Sequence, residues 1–328
     1  MSEMTYRDAL NLALKEEMRR DPSVVVLGED VALYEGSFKV TRGLLAEFGE
    51  ERVKDTPISE NTIVGVAIGA AMGGLRPVAE LMTVNFALLA MDQLINHMTK
   101  IRSMFGGQTH LPMVVRMPGG GGSQLAAQHS QSLESFFMHA PGMRVAYPAT
   151  PADAKGLLKT AIRDNNPVVF LEHEGLYNSK GEVPEDPDFL VPFGKASILR
   201  EGGDITIVAY AKMAMLALQA ALELEKEGIS CEVIDLRTLN PLDSETFIES
   251  VRKTGRAVVV EESWRNAGLG GDLAHRIHQS CFHSLRAPVQ RVAGLDVPMP
   301  YSRKLEKLCI PQVDTIVNAV HEVIAASV

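Results

Sequence analysis

The alternation of short β-branched runs with helical patterns constrains the fold of this chain more than any other feature. Five apolar runs of strand length occupy the N-terminal half: SVVVLG, PVAELMT, LPMVVRMP, MRVAYP and PVVFLEH. Helical patterns lie between them, notably at 62–74, 85–104 and 151–164. Near-continuous apolar strands that alternate with helices are typical of parallel sheets with both faces covered. The sequence therefore predicts an α/β fold.

A second α/β pattern follows a segment rich in proline, glycine and charge, YNSKGEVPEDPDFLVPFGK. Its predicted strands are DITIVAYA, CEVIDLR, RAVVVEES and PVQRVAG, and its predicted helices lie at 212–228, 243–253, 271–283 and 311–326. A segment of that composition without periodicity indicates a linker. We therefore expect two doubly wound domains, residues 1–180 and 199–328, joined by a linker at 181–198.

Composition excludes several classes of protein. The net charge of −9 lacks the basic footprint of a nucleic-acid-binding protein. The cysteines Cys231, Cys281 and Cys309 are odd in number and widely spaced, which favours a reducing compartment over a disulfide framework. Glycine or charge interrupts every apolar stretch before it could cross a bilayer, and the N-terminal pattern is an amphipathic helix of mixed charge. These features predict a cytoplasmic protein that binds neither nucleic acid nor membrane.

The stretch DTPISEN places one carboxylate, Glu60, before a segment of small apolar residues, TIVGVAIGAAMGGL. Two interpretations are open. Polar residues at a helix start satisfy free backbone N–H groups, and a glutamate in the first turn suits the positive end of the helix dipole. Alternatively, Glu60 is a functional carboxylate at the entrance of an apolar site.

A polar cluster, AAQHSQS, carries His129 beyond the strand predicted at 111–117. Loops at the carboxyl ends of parallel strands form the binding crevice of α/β sheets, where an imidazole can transfer a proton near neutral pH. The alternative is a surface histidine that caps the next helix. The sequence has no HExxH or other ligand spacing, so we expect no transition-metal site.

Two glycine-rich segments and one aromatic residue have weaker signals. GGGGS at 119–123 is either an anion-binding loop or an ordinary flexible loop, and it lacks the P-loop pattern. GLGGD at 268–272 lacks the preceding strand and the spacing of a dinucleotide fingerprint. Phe86, directly after the strand PVAELMT, is either core or a stacking platform for a flat ligand.

Read together, DTPISEN, LMTVNF, AAQHSQS, AIRDNNPVVFLE and DVPMPYS carry a resemblance over essentially the whole chain. The sequence resembles the β subunits of the thiamine-diphosphate-dependent decarboxylating components of 2-oxoacid dehydrogenase complexes. The resemblance implies a pyrimidine-binding domain followed by a transketolase-type C-terminal domain.

The resemblance also implies roles for individual residues. Glu60 would hydrogen-bond a ring nitrogen of the cofactor's aminopyrimidine and exchange a proton with it. Phe86 would stack on that ring, and Ile58 and Met82 would line its pocket. His129 would lie near the reacting carbonyl and assist proton or acetyl transfer.

Some family members hold a potassium ion in this subunit through backbone carbonyls, here those near Met113, Ala161, Ile162, Asp164 and Asn166. An ordinary helix end before a proline is the alternative interpretation of the last two residues. The family's magnesium and diphosphate pattern, GDG followed some thirty residues later by NN, does not occur in the sequence. The resemblance therefore implies a separate α subunit that supplies it, in a tetramer of two α and two β chains.

The resemblance further implies transfer of an acetyl group to a lipoyl-bearing acyltransferase. AAQHSQS and AIRDNNPVV are more similar to the pyruvate-specific type than to acetoin or branched-chain 2-oxoacid dehydrogenase subunits. Two other classes stay open: a catalytically silent structural subunit, and a nicotinamide-dependent oxidoreductase that uses GLGGD.

Overall fold

The computed structural model describes residues 1–327 of the 328-residue chain. The chain forms two compact units. The first unit comprises residues 1–119 and 136–193, and the second comprises residues 120–135 together with the chain from residue 194 onward. The loop at 120–135 thus belongs to a different unit from the segments on either side of it.

The first unit contains a parallel sheet with covering helices. Its strands and α-helices are β1 (Ser2–Thr5), α1 (Tyr6–Arg20), β2 (Val24–Gly28), α2 (Leu44–Phe48), β3 (Val53–Asp55), α3 (Glu60–Met72), β4 (Arg76–Glu80), α4 (Ile101–Met104), β5 (Val114–Gly119), β6 (Arg144–Ala146), α6 (Pro151–Arg163), β7 (Val168–His173) and β8 (Lys180–Val183). Short helices of other types are the 3₁₀ helices Val84–Ala90 and Glu174–Leu176 and the π-helix Asp92–Met98.

The sheet of the first unit has the strand order β6-β7-β5-β4-β2-β3, and neighbouring strands are parallel. All residues of β5 and β7 are buried, as expected for central strands covered on both faces. Strands β1 and β8 form a separate antiparallel pair. The five strands predicted in this half of the chain are confirmed, with ends that differ by a few residues.

The helix predicted at 85–104 is wrong as one α-helix. The chain instead forms the 3₁₀ helix Val84–Ala90, the π-helix Asp92–Met98 and then α4. Apolar periodicity indicates that a segment is helical, but it does not separate the hydrogen-bond registers of 3₁₀, α and π helices. Short π-helical segments often mark functional regions.

Four charged or polar side chains form a hydrogen-bonded cluster inside the first unit. The guanidinium of Arg116 donates to Glu172 Oε1 and Oε2 at 2.7 and 2.8 Å and to Glu80 Oε2 at 2.5 Å. The Tyr177 hydroxyl donates to Glu172 Oε2 at 2.7 Å. Burial is the largest influence on Glu80 and raises its pKa. The cluster buries two carboxylates around one guanidinium.

The second unit contains a second open sheet. Its strands and α-helices are α5 (Glu134–Met138), whose first two residues lie in this unit, β9 (Ser197–Arg200), β10 (Ile205–Ala209), α7 (Ala211–Glu225), β11 (Cys231–Asp235), β12 (Thr238–Asn240), α8 (Ser244–Thr254), β13 (Ala257–Trp264), α9 (Leu269–Cys281), β14 (Gln290–Gly294), α10 (Arg303–Cys309) and α11 (Val313–Ala325).

Its five-stranded sheet has the order β14-β13-β10-β11-β9. The first four strands are parallel, and β9 pairs antiparallel with β11 at the edge. The four predicted strands and the four predicted helices of this half are confirmed. Throughout the described chain, each helix is too short or insufficiently apolar to span a bilayer.

Candidate active site

The carboxyl ends of three adjacent strands, β2, β3 and β4, form the edge at which most predicted site residues lie. Gly28 at the end of β2 pairs with Asp55 at the end of β3 and with Glu80 at the end of β4. Because these ends are in register, the segments that follow them leave the sheet at the same edge. This edge is where α/β sheets bind ligands.

Glu60 is the first residue of α3 and is only 4 % exposed. The preceding Ser59 makes no side-chain capping bond, and its hydroxyl donates instead to Pro57 O at 3.1 Å. The position of Glu60 in the first turn still suits the helix dipole. Ser59 thus contributes no side-chain cap to α3, and of the first interpretation only the favourable position of Glu60 in the helix dipole remains.

A second carboxylate, Glu29, lies close to Glu60 and was missed by sequence analysis. It directly follows β2 and is buried. Burial raises the pKa of Glu29 most, and the negative charges of Glu60 and Asp30 raise it further, while a backbone hydrogen bond from Ser59 acts against them. The signal that could have identified it is a carboxylate placed immediately after a predicted buried strand.

The three predicted apolar site residues lie on the segments that follow β3 and β4. The side chain of Ile58 is 83 % exposed, and those of Met82 and Phe86 are partly exposed. Phe86 lies in the 3₁₀ helix and donates its backbone N–H to Thr83 O at 3.0 Å. Phe86 is therefore not part of the buried core, and all three side chains offer apolar surface to a ligand.

His129 lies in the second unit, in the loop at 120–135, and its side chain is exposed. Its backbone N–H donates to Ala126 O at 3.3 Å, which closes a turn. Helix α5 begins at Glu134, so His129 does not occupy the capping position of that helix. The exposed imidazole can exchange protons with a ligand.

The glycine-rich segment at 119–123 binds carboxylates of this chain. Gly121 N donates to Glu262 Oε1 at 2.6 Å, and Gly122 N donates to Glu306 Oε1 at 2.9 Å. A phosphate-binding loop would aim these N–H groups at its ligand. The anion-binding interpretation is therefore wrong because the donors are already used within the second unit.

The segment GLGGD lies between β13 and α9, so the expectation that no strand precedes it is wrong. Gly270 N donates to Glu261 Oε2 at 2.8 Å. A Cβ atom at Gly268 would lie 2.6 Å from Glu261 Oε2, so the Glu261 carboxylate fills the space that the glycines leave. This turn has no room for a dinucleotide phosphate, which argues against the nicotinamide interpretation.

One further buried carboxyl lies at the end of the His129 loop. Glu134 is 1 % exposed and accepts a hydrogen bond from the Tyr210 hydroxyl at 2.6 Å. Burial raises the pKa of Glu134 to about 7, the Tyr210 hydrogen bond acts against it, and Glu261 and Glu262 add to the rise. The group therefore titrates near neutral pH.

The residues proposed for potassium surround the C-terminal end of α6. They are Met113, Ala161, Ile162, Asp164 and Asn166. Arg76 Nη1 donates to Ile162 O and to Asp164 O, both at 3.0 Å. Carbonyl oxygens suit a hard cation and a helix C-terminus favours one, but the guanidinium of Arg76 repels it. The residues fit a potassium ion only in part. Within residues 1–327, no group of three or more His, Cys, Asp or Glu side chains is arranged to hold a metal ion.

Comparison with known proteins gives matches over nearly the whole chain. Residues 2–180 match the transketolase pyrimidine binding domain family, and residues 194–316 match the transketolase C-terminal domain family. The chain is 52% identical to the pyruvate dehydrogenase E1 component subunit beta of Rhizobium meliloti (strain 1021), over 98% of this chain and 70% of that protein. It is 50% identical to the protein of the same name from Rickettsia bellii (strain RML369-C), over 98% of each.

Similarity extends to a eukaryotic relative and to a solved structure. The mitochondrial pyruvate dehydrogenase E1 component subunit beta of Drosophila melanogaster is 49% identical, over 99% of this chain and 90% of that protein. A split-gene transketolase, solved as an inactive β4 tetramer, superposes with a TM-score of 0.78 at 28% identity and covers 99% of each chain.

Proposed function

The chain belongs to the family of pyruvate dehydrogenase E1 component β subunits, built from transketolase pyrimidine-binding and C-terminal domains, and from this premise we propose its reaction and the roles of its residues. The reaction is the thiamine-diphosphate-dependent oxidative decarboxylation of pyruvate with transfer of the acetyl group to a lipoyl group. The observation that carries the proposal is Glu60, a buried carboxylate at the carboxyl edge of the first sheet, beside a second buried carboxylate.

Glu60 would hold the aminopyrimidine of thiamine diphosphate by a hydrogen bond to a ring nitrogen, and its carboxyl would accept or give a proton there. Bound thiamine diphosphate supplies a nucleophilic thiazolium carbon and an electron sink for the loss of CO₂. Glutamine at this position would keep the hydrogen-bonding shape but lose the exchangeable proton. Glu29 lies beside Glu60, and burial together with the negative charges of Glu60 and Asp30 raises the pKa of the Glu29 carboxyl.

Ile58, Met82 and Phe86 form the apolar part of the proposed cofactor site. Phe86 would stack on the flat aminopyrimidine, and the apolar side chains of Ile58 and Met82 would exclude water around it. Water exclusion strengthens the hydrogen bond that Glu60 makes to the ring. The partial or full exposure of these three side chains supports this role, since in a single chain they have no complete apolar cover.

His129 is proposed to transfer a proton at the carbonyl oxygen of the substrate or to assist transfer of the acetyl group to the lipoyl acceptor. The side chain of His129 is exposed, and an imidazole can act as acid or base in either step. Replacement of His129 by alanine should therefore slow turnover while cofactor binding is kept.

The partner in this proposal is an α subunit, in a heterotetramer of two α and two β chains. The α subunit binds magnesium and the diphosphate, for which this chain has no sequence pattern. The structural relative without a second type of chain is described as inactive, which supports the need for a partner. We further propose that a lipoyl-bearing acyltransferase accepts the acetyl group, that a potassium ion binds at the end of α6, and that the protein is cytoplasmic.

The test is reconstitution with the pyruvate dehydrogenase E1 α subunit of the same organism, with thiamine diphosphate and magnesium present. Pyruvate, branched-chain 2-oxoacids and acetoin are offered in turn with an artificial electron acceptor. We expect turnover only in the mixture and fastest with pyruvate. Faster turnover of another substrate would overturn the substrate assignment, and absence of turnover in every mixture would favour a catalytically silent subunit.

A further inference from the structure

A buried carboxylate on α10 binds the backbone of the loop that carries His129. Glu306 accepts hydrogen bonds from Gly122 N at 2.9 Å and from Gln124 N at 3.1 and 3.2 Å. Glu306 is only 2 % exposed. No Lys, Arg or His among residues 1–327 forms an ion pair with it, so the loop amides are its principal compensation for burial.

The loop adopts a backbone that needs such a support. Gln124 and Ala126 have φ angles of 58° and 62°, in the left-handed region that L-residues with side chains rarely adopt. Residues in sparsely populated backbone regions persist only where surrounding contacts over-determine them. The hydrogen bonds from Gln124 N to Glu306 act directly on one of these two residues.

A second carboxylate connects the two ends of the loop. Glu262 on β13 accepts hydrogen bonds from Gly121 N at 2.6 Å, beside the Glu306 contacts, and from the Ser132 hydroxyl at 3.4 Å, beyond His129. The segment after α10 also packs on the loop, since a Cβ atom at Gly121 would lie 2.7 Å from Ile310 Cδ1. His129 therefore lies on a short span that is anchored on both sides within the second unit.

From this geometry we infer that Glu306 is a positioning residue for His129. By holding the amides of Gly122 and Gln124, Glu306 fixes the loop conformation that presents the imidazole. The inference rests on the role proposed for His129. It requires that loss of Glu306 acts through His129 and not through general damage to the second unit.

The test is a double-mutant cycle in the reconstituted α and β complex. The variants are His129→Ala, Glu306→Ala and the double variant. Turnover is measured as the reductive acetylation of free lipoamide. Glu306→Gln, which keeps one acceptor oxygen, is a second variant should the alanine variant fail to fold. Glu232→Ala is the matched control, because Glu232 is also buried and binds Gly202 N and Lys253 but does not contact the loop.

We expect Glu306→Ala to lower kcat about tenfold, with thiamine diphosphate binding kept, because small misplacements of a reacting group cost large factors in rate. In the His129→Ala background the same change should lower kcat less than about twofold, since residues that act as a unit are non-additive. Glu306→Gln should give an intermediate loss, and Glu232→Ala should not show this coupling.

Two results would overturn the inference. Equal losses from Glu306→Ala in both backgrounds would make Glu306 merely structural, and wild-type turnover of Glu306→Ala and Glu306→Gln would remove its role altogether. Wild-type turnover of His129→Ala would instead refute the proposed role of His129, on which the inference depends. The cycle thus separates failure of the positioning claim from failure of the proposed function.

Discussion

Replacement of Glu134 by glutamine should remove one specific component of the pH dependence of stability. Glu134 is buried, and burial, as the largest cause, raises the pKa of its carboxyl from 4.5 to about 7. Between these two values the folded chain holds a proton that the unfolded chain has released. The folded state is therefore stabilised at low pH, and this contribution is lost as pH rises through the folded pKa.

The size of the effect follows from the two pKa values. The two pKa values differ by about 2.5, and each pKa unit corresponds to about 1.4 kcal/mol, so the total effect is about 3–4 kcal/mol. Between about pH 5 and about pH 8 the free energy of unfolding of the wild type should fall by about 2–3 kcal/mol relative to Glu134→Gln. The glutamine stays neutral and can still accept the Tyr210 hydrogen bond.

The assay is reversible urea unfolding of the purified chain at several pH values, followed by tryptophan fluorescence. Trp264 is the only tryptophan and lies on β13, in the same unit as Glu134. Other titrating groups are common to both chains and cancel in the difference. The control is Glu249→Gln on the exposed face of α8, which should give a flat difference. A Glu134→Gln difference that is constant within about 0.5 kcal/mol, or that rises with pH, would refute the reasoning.

Two further predictions concern packing in the first unit. Arg116→Met should lower the free energy of unfolding by about 3–5 kcal/mol, because it leaves the buried carboxylates of Glu172 and Glu80 without their guanidinium. The measurement is urea unfolding followed by circular dichroism, and a loss below about 1 kcal/mol would contradict this prediction. Gly156→Ala on α6 should cost about 1–3 kcal/mol, because its Cβ would lie 2.5 Å from Val191 Cγ2. The matched change Gly69→Ala on α3 meets no atom within 4 Å and should be neutral or stabilising by up to about 1 kcal/mol; equal effects of the two changes would show that close packing is not the cause.

The sequence predicted the strands well because their signal is local. β-Branched runs such as that of β2 are apolar on both faces, and only a central parallel strand buries both. The sequence also singled out Glu60, since a carboxylate before an apolar helix is conspicuous. Glu29 was missed because a glutamate after a strand resembles an ordinary loop residue until the register of β2, β3 and β4 places it beside Glu60.

The loop at 120–135 shows what local patterns cannot give. In the sequence it lies between β5 and α5, and its glycines suggested a flexible or anion-binding loop. Its structure depends on Glu262 and Glu306, which are more than a hundred residues away along the chain. Only the fold of the second unit brings these carboxylates to the loop, so the sequence alone could not assign it to that unit.

The central claim is that Glu60 moves a proton to and from the cofactor. The most direct measurement is the rate at which the C2 proton of the thiazolium ring exchanges with deuterium in the reconstituted complex. Glu60→Gln should slow this exchange by about 10²–10⁴-fold, with thiamine diphosphate binding kept within a few-fold. Glu50→Gln, at an exposed position, should exchange at the wild-type rate. Exchange at the wild-type rate in Glu60→Gln, with the cofactor bound, would contradict the account.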